Sequence, residues 1–167
     1  HILVGEGIEC EKESERFFGQ YLGRKTARVR IPDLLHGSSD GVHAGDWVFI
    51  PGGFSFADHF GSGRLLAFEL KKAGFLERCV EKGVHLMGVC NGFQVLMETG
   101  LFGAGVSLEH NELGGHGLGF INRWVECRGE GPLEGDSFFI PVRHGEGRIK
   151  RQAASWESGV QPFLRYA

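Results

Sequence analysis

Cys90 stands in the stretch GVCNGFQ, at the end of the apolar run Val84 to Val89, with Gly88 and Gly92 two residues to either side. A cysteine sulfur can attack an amide carbonyl and hold the acyl group as a thioester. The G-x-C-x-G spacing suits a tight strand-to-helix turn, in which the glycines remove side chains that would collide and the cysteine is pushed out above the sheet. A helix beginning at that cysteine offers its positive end to the sulfur and favours the thiolate. The backbone N–H of Asn91 then points toward the oxyanion of an attacked carbonyl. The bland alternative is a small, buried, apolar cysteine, and that is the expectation for Cys10, Cys79 and Cys127.

Two further stretches carry candidate chemistry. In IPGGFSFADHFGSG, Ile50 to Gly63, the pair Gly52-Gly53 at a strand end lets the backbone approach a ligand and present N–H groups to it; an ordinary glycine turn is the alternative. In PVRHGEGRI, Pro141 to Ile149, His144 and Glu146 are flanked by Gly145 and Gly147. A histidine beside a carboxylate can act as base and orienter for a cysteine. Residues i and i+2 of an extended chain point the same way without needing to bond each other, and His110-Asn111-Glu112 repeats the spacing in a polar stretch.

The elements that must position these residues follow from the apolar pattern. A first strand in HILVGEG precedes a helix over Glu9 to Leu22, whose acids Glu11 to Glu15 lie early, where they suit the helix dipole. Ala27 to Ile31 predicts a second strand closed by Pro32, and Trp47 to Ile50 a third that stops at Pro51-Gly52-Gly53. Arg64 to Lys82 predicts a helix, broken or kinked at Gly74, with an inner stripe of Leu65, Leu66, Phe68, Phe75, Leu76 and Val80. Val84 to Val89 is the next strand and Gly92 to Thr99 the next helix, ended by Gly100.

Fully apolar strands alternating with helices imply an α/β fold, a mostly parallel sheet covered on both faces, with ligands bound beyond the carboxyl ends of the strands. That gathers Gly5 to Gly7, Pro51 to Phe54 and Cys90 at one rim. Phe120 to Cys127 and Phe138 to Val142 follow without intervening helices and predict an antiparallel extension, while Gly103 to Gly119 reads mostly as loop.

At 167 residues the expectation is one domain. Lys and Arg total 18 against 21 Asp and Glu, a net charge of −3, which gives no footprint for nucleic acid or an anionic membrane. No apolar run is long enough to span a bilayer and no signal-peptide pattern opens the chain. Four scattered cysteines without C-x-x-C spacing fit reduced thiols in the cytoplasm. His36, His43, His59 and His116 are expected on the surface, and no metal set is apparent.

PGGFSFADHFGSG, GVCNGFQVLMETGLF and PVRHGEGRI, in that order, resemble the glutamine amidotransferase subunits of phosphoribosylformylglycinamidine synthase, and the likeness runs from the first strand to the end of the chain. The resemblance implies a class I glutamine amidotransferase, flavodoxin-like in architecture. It implies hydrolysis of glutamine through a γ-glutamyl thioester on Cys90, with the backbone N–H groups of Gly53 and Asn91 as oxyanion hole. Gly52, Gln94, His144, Gly145 and Glu146 would line the glutamine pocket. No cofactor is implied. Ammonia would pass to a synthetase partner, which itself binds ATP and formylglycinamide ribonucleotide.

In that family the triad histidine and glutamate come from a later P-H-P-E segment, which does not occur between His1 and Ala167. The expectation is a tail that supplies it, ahead of a truncated chain or an impaired variant. His144 and Glu146 therefore stay with the pocket and are not promoted to the triad. Phe56-Ala57 replaces the usual Tyr-Gly, and Ser107 to Gly119 fits the family poorly. The alternatives are another class I amidotransferase, a cysteine hydrolase of the same fold, or a scaffolding subunit that kept the fold and lost the triad.

Overall fold

Four short strands, β1 (Ile2–Val4), β2 (Arg28–Arg30), β3 (Trp47–Ile50) and β4 (His85–Gly88), form a fully parallel sheet in the order β2-β1-β3-β4. The structure is a computed structural model and describes residues 1–36, 41–103, 105–112, 119–151 and 163–167. The chain divides into two compact units, His1–Leu101 and Phe102–Ala167.

In the first unit the crossovers from β1 to β2 and from β3 to β4 leave the sheet centre in opposite directions. Right-handed connections then put their helices on opposite faces. Helix α1 (Glu11–Arg16), continued by a π-helical turn over Phe17–Tyr21, meets one face, where Phe18 packs edge-on against Phe49 at 5.0 Å. Val48 and Ile50, which alternate with Phe49, are fully buried, as period-two alternation requires of a covered strand. Helices α3 (Arg64–Lys72), α4 (Phe75–Glu81) and α5 (Asn91–Glu98) serve the other crossover and the segment after β4.

The expected helix from Arg64 to Lys82 is thus two. Gly74, at φ 61°, takes the left-handed conformation that an L side chain resists, and α4 starts afresh behind it. The break resets the helical phase for α4 and so corrects the later half of the expected inner stripe, while Phe68 already lies across α3 from the Leu66–Leu70 line. Leu66, Ala67, Leu70, Phe75, Leu76 and Cys79 are buried, whereas Phe68 is 60% and Val80 55% exposed. The second strand is also shorter than expected. It stops at Arg30, and Ile31 opens helix α2 (Ile31–Leu35), because Pro32 lies in a first turn that needs no N–H from it.

The second unit is antiparallel. β7 (Ser137–His144), β6 (Ile121–Gly129) and β9 (Leu164–Tyr166) form one sheet in that order, and β5 (Val106–His110) pairs with β8 (Glu146–Arg151) in another. The expected antiparallel strands are present, hydrogen-bonded in sheets of their own. β5 lies where a loop was expected. Its Val106 and Leu108 are buried while Ser107 between them faces out, a period-two pattern that ends at the register shift between Glu109 and His110. β7 runs into β8 with only Gly145 between them, so the chain leaves one sheet for the other at the HGEG stretch. Among the described residues, no helix is long and apolar enough to cross a membrane.

Candidate active site

Cys90 follows β4 after a single residue and caps the start of α5, with φ 55° and ψ −118°. That is a costly backbone conformation for a residue with a Cβ, and such strain persists only where the surroundings impose it. Here the two flanking glycines let them do so. A Cβ on Gly88 would overlap the carbonyl of Gly92, and a Cβ on Gly92 would overlap the carbonyl of Ile50 at the end of β3. The strand, the turn and the helix therefore meet backbone to backbone. Gln94 N–H donates to the Cys90 carbonyl at 3.1 Å, Gly92 N–H to Val89 at 2.9 Å and Val89 N–H to Ile50 at 3.2 Å. Cys90 itself is exposed.

The Gly52-Gly53 pair comes to the same rim. A Cβ on Gly52 would stand 3.2 Å from the Cys90 Cβ and 3.7 Å from the Cys10 Sγ. Gly53, at φ 143°, forms an antiparallel bridge with Ile8, in which Glu9 N–H donates to Gly52 at 3.2 Å and Phe54 N–H to Gly7 at 2.7 Å. That ladder uses neither the Gly53 N–H nor the Asn91 N–H, and among the described residues neither donates to another backbone carbonyl. Cys10, expected to be buried, is exposed and shares this rim, although Cys79 and Cys127 are buried. Partial desolvation of its sulfur against the rim, then Glu13, Cys90, Glu9 and Glu11, push the Cys10 thiol pKa up.

Sequence reasoning identified Asn91 by its N–H and passed over its side chain. The amide is only 2% exposed. Its Oδ1 accepts from Ser55 N–H at 3.1 Å and from Ser55 Oγ at 2.7 Å. Its Nδ2 donates to Asp58 Oδ1 at 3.0 Å and to Gln94 Oε1 at 3.2 Å. Since a backbone N–H can only donate, the Ser55 bond fixes which end of the amide is oxygen. Ser55 and Asp58 were visible only as polar letters in a turn.

His144, Gly145 and Glu146 lie together in the second unit, but His144 and Glu146 engage different partners. His144 Nδ1 accepts from Asn111 Nδ2 at 3.0 Å, while Glu146 Oε1 pairs with His110 Nε2 at 3.2 Å. Asn111, buried and unremarked in the sequence beyond its H-x-E neighbours, ties the turn together. Its Nδ2 also donates to the His144 carbonyl at 2.7 Å, and its Oδ1 accepts from Gly147 N–H at 3.2 Å. Gly147 is required because the His144 ring occupies the place of its Cβ, whereas Gly145 meets nothing nearer than 3.8 Å. Burial holds the His144 pKa below that of an ordinary histidine. His36, His43 and His59 are exposed as expected, and His116 lies outside the described residues. Among the described residues, no group of three or more His, Cys, Asp or Glu is placed to hold a metal ion.

The family model of the CobB/CobQ-like glutamine amidotransferase domain matches residues 1–166. The chain belongs to this family. This amidotransferase domain is 35% identical over 160 residues to the phosphoribosylformylglycinamidine synthase subunit PurQ of Methanococcus maripaludis, covering 89% of this chain and 58% of that protein. It is 32% identical over 160 residues to the PurQ subunit of Dehalococcoides mccartyi, covering 89% and 61%. The amidotransferase chain therefore spans about three fifths of the length of these relatives. A solved structure of PurLQS from Thermotoga maritima shares the fold, with a TM-score of 0.71 at 24% identity over 99% of this chain and 72% of that one.

Proposed function

We propose that the chain is the glutaminase part of a phosphoribosylformylglycinamidine synthase, releasing ammonia from glutamine for purine synthesis. One observation carries the reading: a cysteine held at φ 55° on a strand-to-helix turn, beside a glycine pair whose second N–H donates to no backbone carbonyl among the described residues. The Cys90 sulfur attacks the side-chain carbonyl carbon of glutamine. The oxyanion that forms is met by the N–H groups of Gly53 and Asn91. Collapse breaks the C–N bond, the proton given up by the Cys90 thiol goes to the departing nitrogen so that it leaves as ammonia, and a γ-glutamyl thioester remains on Cys90. Water adds to the thioester and glutamate departs, restoring the thiol.

Gly52 belongs to the pocket because a larger residue there would crowd Cys90, and Gln94 because it sits one turn along the same helix. His144, Gly145 and Glu146 are assigned to glutamine binding. The Asn111 bond to His144 and the His110 pair with Glu146 support a fixed binding turn over a proton-relaying dyad. The ammonia is consumed by a cytoplasmic synthetase subunit or domain that binds ATP and formylglycinamide ribonucleotide. No cofactor enters the glutaminase half-reaction.

The test is intact mass of the full-length protein, with and without its synthetase, after treatment with a chloroketone analogue of glutamine. A single adduct with loss of chloride, absent in Cys90→Ser and prevented by excess glutamine, is the expected result. No adduct in either setting would overturn the reading in favour of a scaffolding subunit.

A further inference from the structure

The turn after the glycine pair has an unusual backbone. Phe56, Ala57, Asp58 and Phe60 all have positive φ, at 52°, 54°, 53° and 66°. Each costs about 1–2 kcal/mol for a residue with a Cβ. Such a turn does not hold its shape unaided. Backbone bonds from Phe56 N–H to Glu6 at 3.2 Å and from Ala57 N–H to Phe54 at 2.8 Å restrain its start. Further bonds run from His59 N–H to Phe56 at 3.1 Å, from Gly61 N–H to Asp58 at 2.9 Å and from Arg64 Nη1 to Phe60 at 3.1 Å, and the buried amide of Asn91, the residue next to the nucleophile, ties the turn to the start of α5.

We infer that Asn91 and Asp58 act as a pair of positioning residues that set the separation of the two oxyanion donors. The inference rests on the glutaminase reading. Ser55 lies two residues beyond Gly53, and both its N–H and its hydroxyl hang on Asn91 Oδ1. The same Asn91 supplies the second donor from its own backbone. One side chain thus spans the two strands of chain that carry the donors, so rotating it would move one relative to the other. Asp58 prevents that rotation. It accepts from Asn91 Nδ2 at 3.0 Å and, on its other oxygen, from Ser62 Oγ at 3.4 Å. Gln94 Oε1, one helical turn on, takes the remaining amide hydrogen.

The experiment compares single and swapped variants in the full-length protein, with its synthetase present, labelled by the same chloroketone. Labelling rate at saturation and half-saturating concentration are read separately, with the thermal midpoint beside them. Asn91→Asp faces a second carboxylate at Asp58. Its saturating rate is expected to fall about 100-fold, the scale of a donor lost or displaced, with little change in half-saturation. Combining Asn91→Asp with Asp58→Asn restores a donor opposite an acceptor with unchanged total charge, and is expected to recover most of that rate. Asp58→Ala alone, which keeps the turn's backbone bonds, is expected to lose about tenfold.

A purely structural role would lower the melting midpoint and leave the saturating rate of the folded protein unmoved. That outcome would overturn the inference, as would a swap that melts like wild type and labels no faster than Asn91→Asp. If the swap does not fold, Asp58→Ala decides by the same two readouts. Wild-type protein that takes no label would instead overturn the glutaminase reading, so the two failures are distinct.

Discussion

Asn111 holds His144 at two points, donating from Nδ2 to the imidazole Nδ1 at 3.0 Å and to the carbonyl of the same residue at 2.7 Å. Because Gly147 N–H donates to Asn111 Oδ1, the atom facing the ring is a donor and the ring nitrogen must accept. His144 is therefore neutral, with its proton on Nε2. Protonation would place a second N–H against the amide and break the bond, which acts in the same direction as the burial that lowers its pKa. A histidine whose folded pKa is lowered contributes stability that is fully present above the unfolded value of about 6.5. That contribution is lost as pH falls from there toward the folded pKa. Imidazole Cε1 shifts followed by NMR should give His144 a midpoint below 6.5. Asn111→Asp should raise it, since a carboxylate beside the ring favours the charged form.

The glycines of HGEG are unequal. A Cβ at position 147 would strike the His144 ring, while position 145 is open to about 3.8 Å. Gly147→Ala should turn the ring out of its bond to Asn111 and cost about 1–3 kcal/mol, the scale of a buried amide left unpaired. Gly145→Ala should cost well under half of that. Urea unfolding of both variants, with the His144 NMR signal as a local probe, separates them. Equal losses would mean that the glycines serve backbone freedom alone.

The parallel sheet, the rim and the strained turn that carries Cys90 were legible in the sequence because each rests on local pattern. Continuous apolar runs such as Trp47 to Ile50 name buried strands, and paired glycines name close backbone approach. The misses share a physical cause. Whether Cys79 or Val80 faces inward depends on helical phase, which the left-handed Gly74 resets. Whether Ser55 and Asn111 are solvated letters or buried anchors, and whether the half-buried Asp58 is tied down, depends on contacts 33 to 36 residues away, as with Asn91 to Asp58 and Asn111 to Gly147. Polar side chains at a turn carry no local mark of that kind. Cys10 was misjudged for the same reason, since only the bridge between Ile8 and Gly53 brings it beside Gly52.

Gly92→Ala tests the packing of the elbow. The added methyl meets the Ile50 carbonyl, a backbone group with no rotamer through which to escape. β3 or α5 must move, at about 3 kcal/mol or more, toward the upper range for overpacking. Gly83→Ala is the control. It lies at φ 69° with nothing within 4 Å, so it bears only the conformational cost of about 1 kcal/mol. Urea unfolding should rank the two well apart, with Trp47 as the fluorophore of the first unit. Gly92→Ala should also lose Cys90 labelling at temperatures where it remains folded, whereas Gly83→Ala should keep it.

Ala57→Gly runs in the opposite direction. Ala57 sits at φ 54° and ψ 30° in the strained turn, and its side chain is exposed, so removing the methyl sacrifices little packing. Two effects compete. Relief of left-handed strain is worth about 1–2 kcal/mol. Against it, glycine gives the unfolded chain more freedom to lose, about 0.5–1 kcal/mol. The balance favours glycine by roughly 0.5–1 kcal/mol, or about 1–4 °C in the melting midpoint of a chain this size. The substitution leaves the Asn91 bonds to Ser55 and Asp58 in place, so the saturating rate of Cys90 labelling should hold. A midpoint that falls would show that the residue is not left-handed in solution. A midpoint that rises while labelling slows would show that the strain itself, and not just the shape it maintains, serves the site.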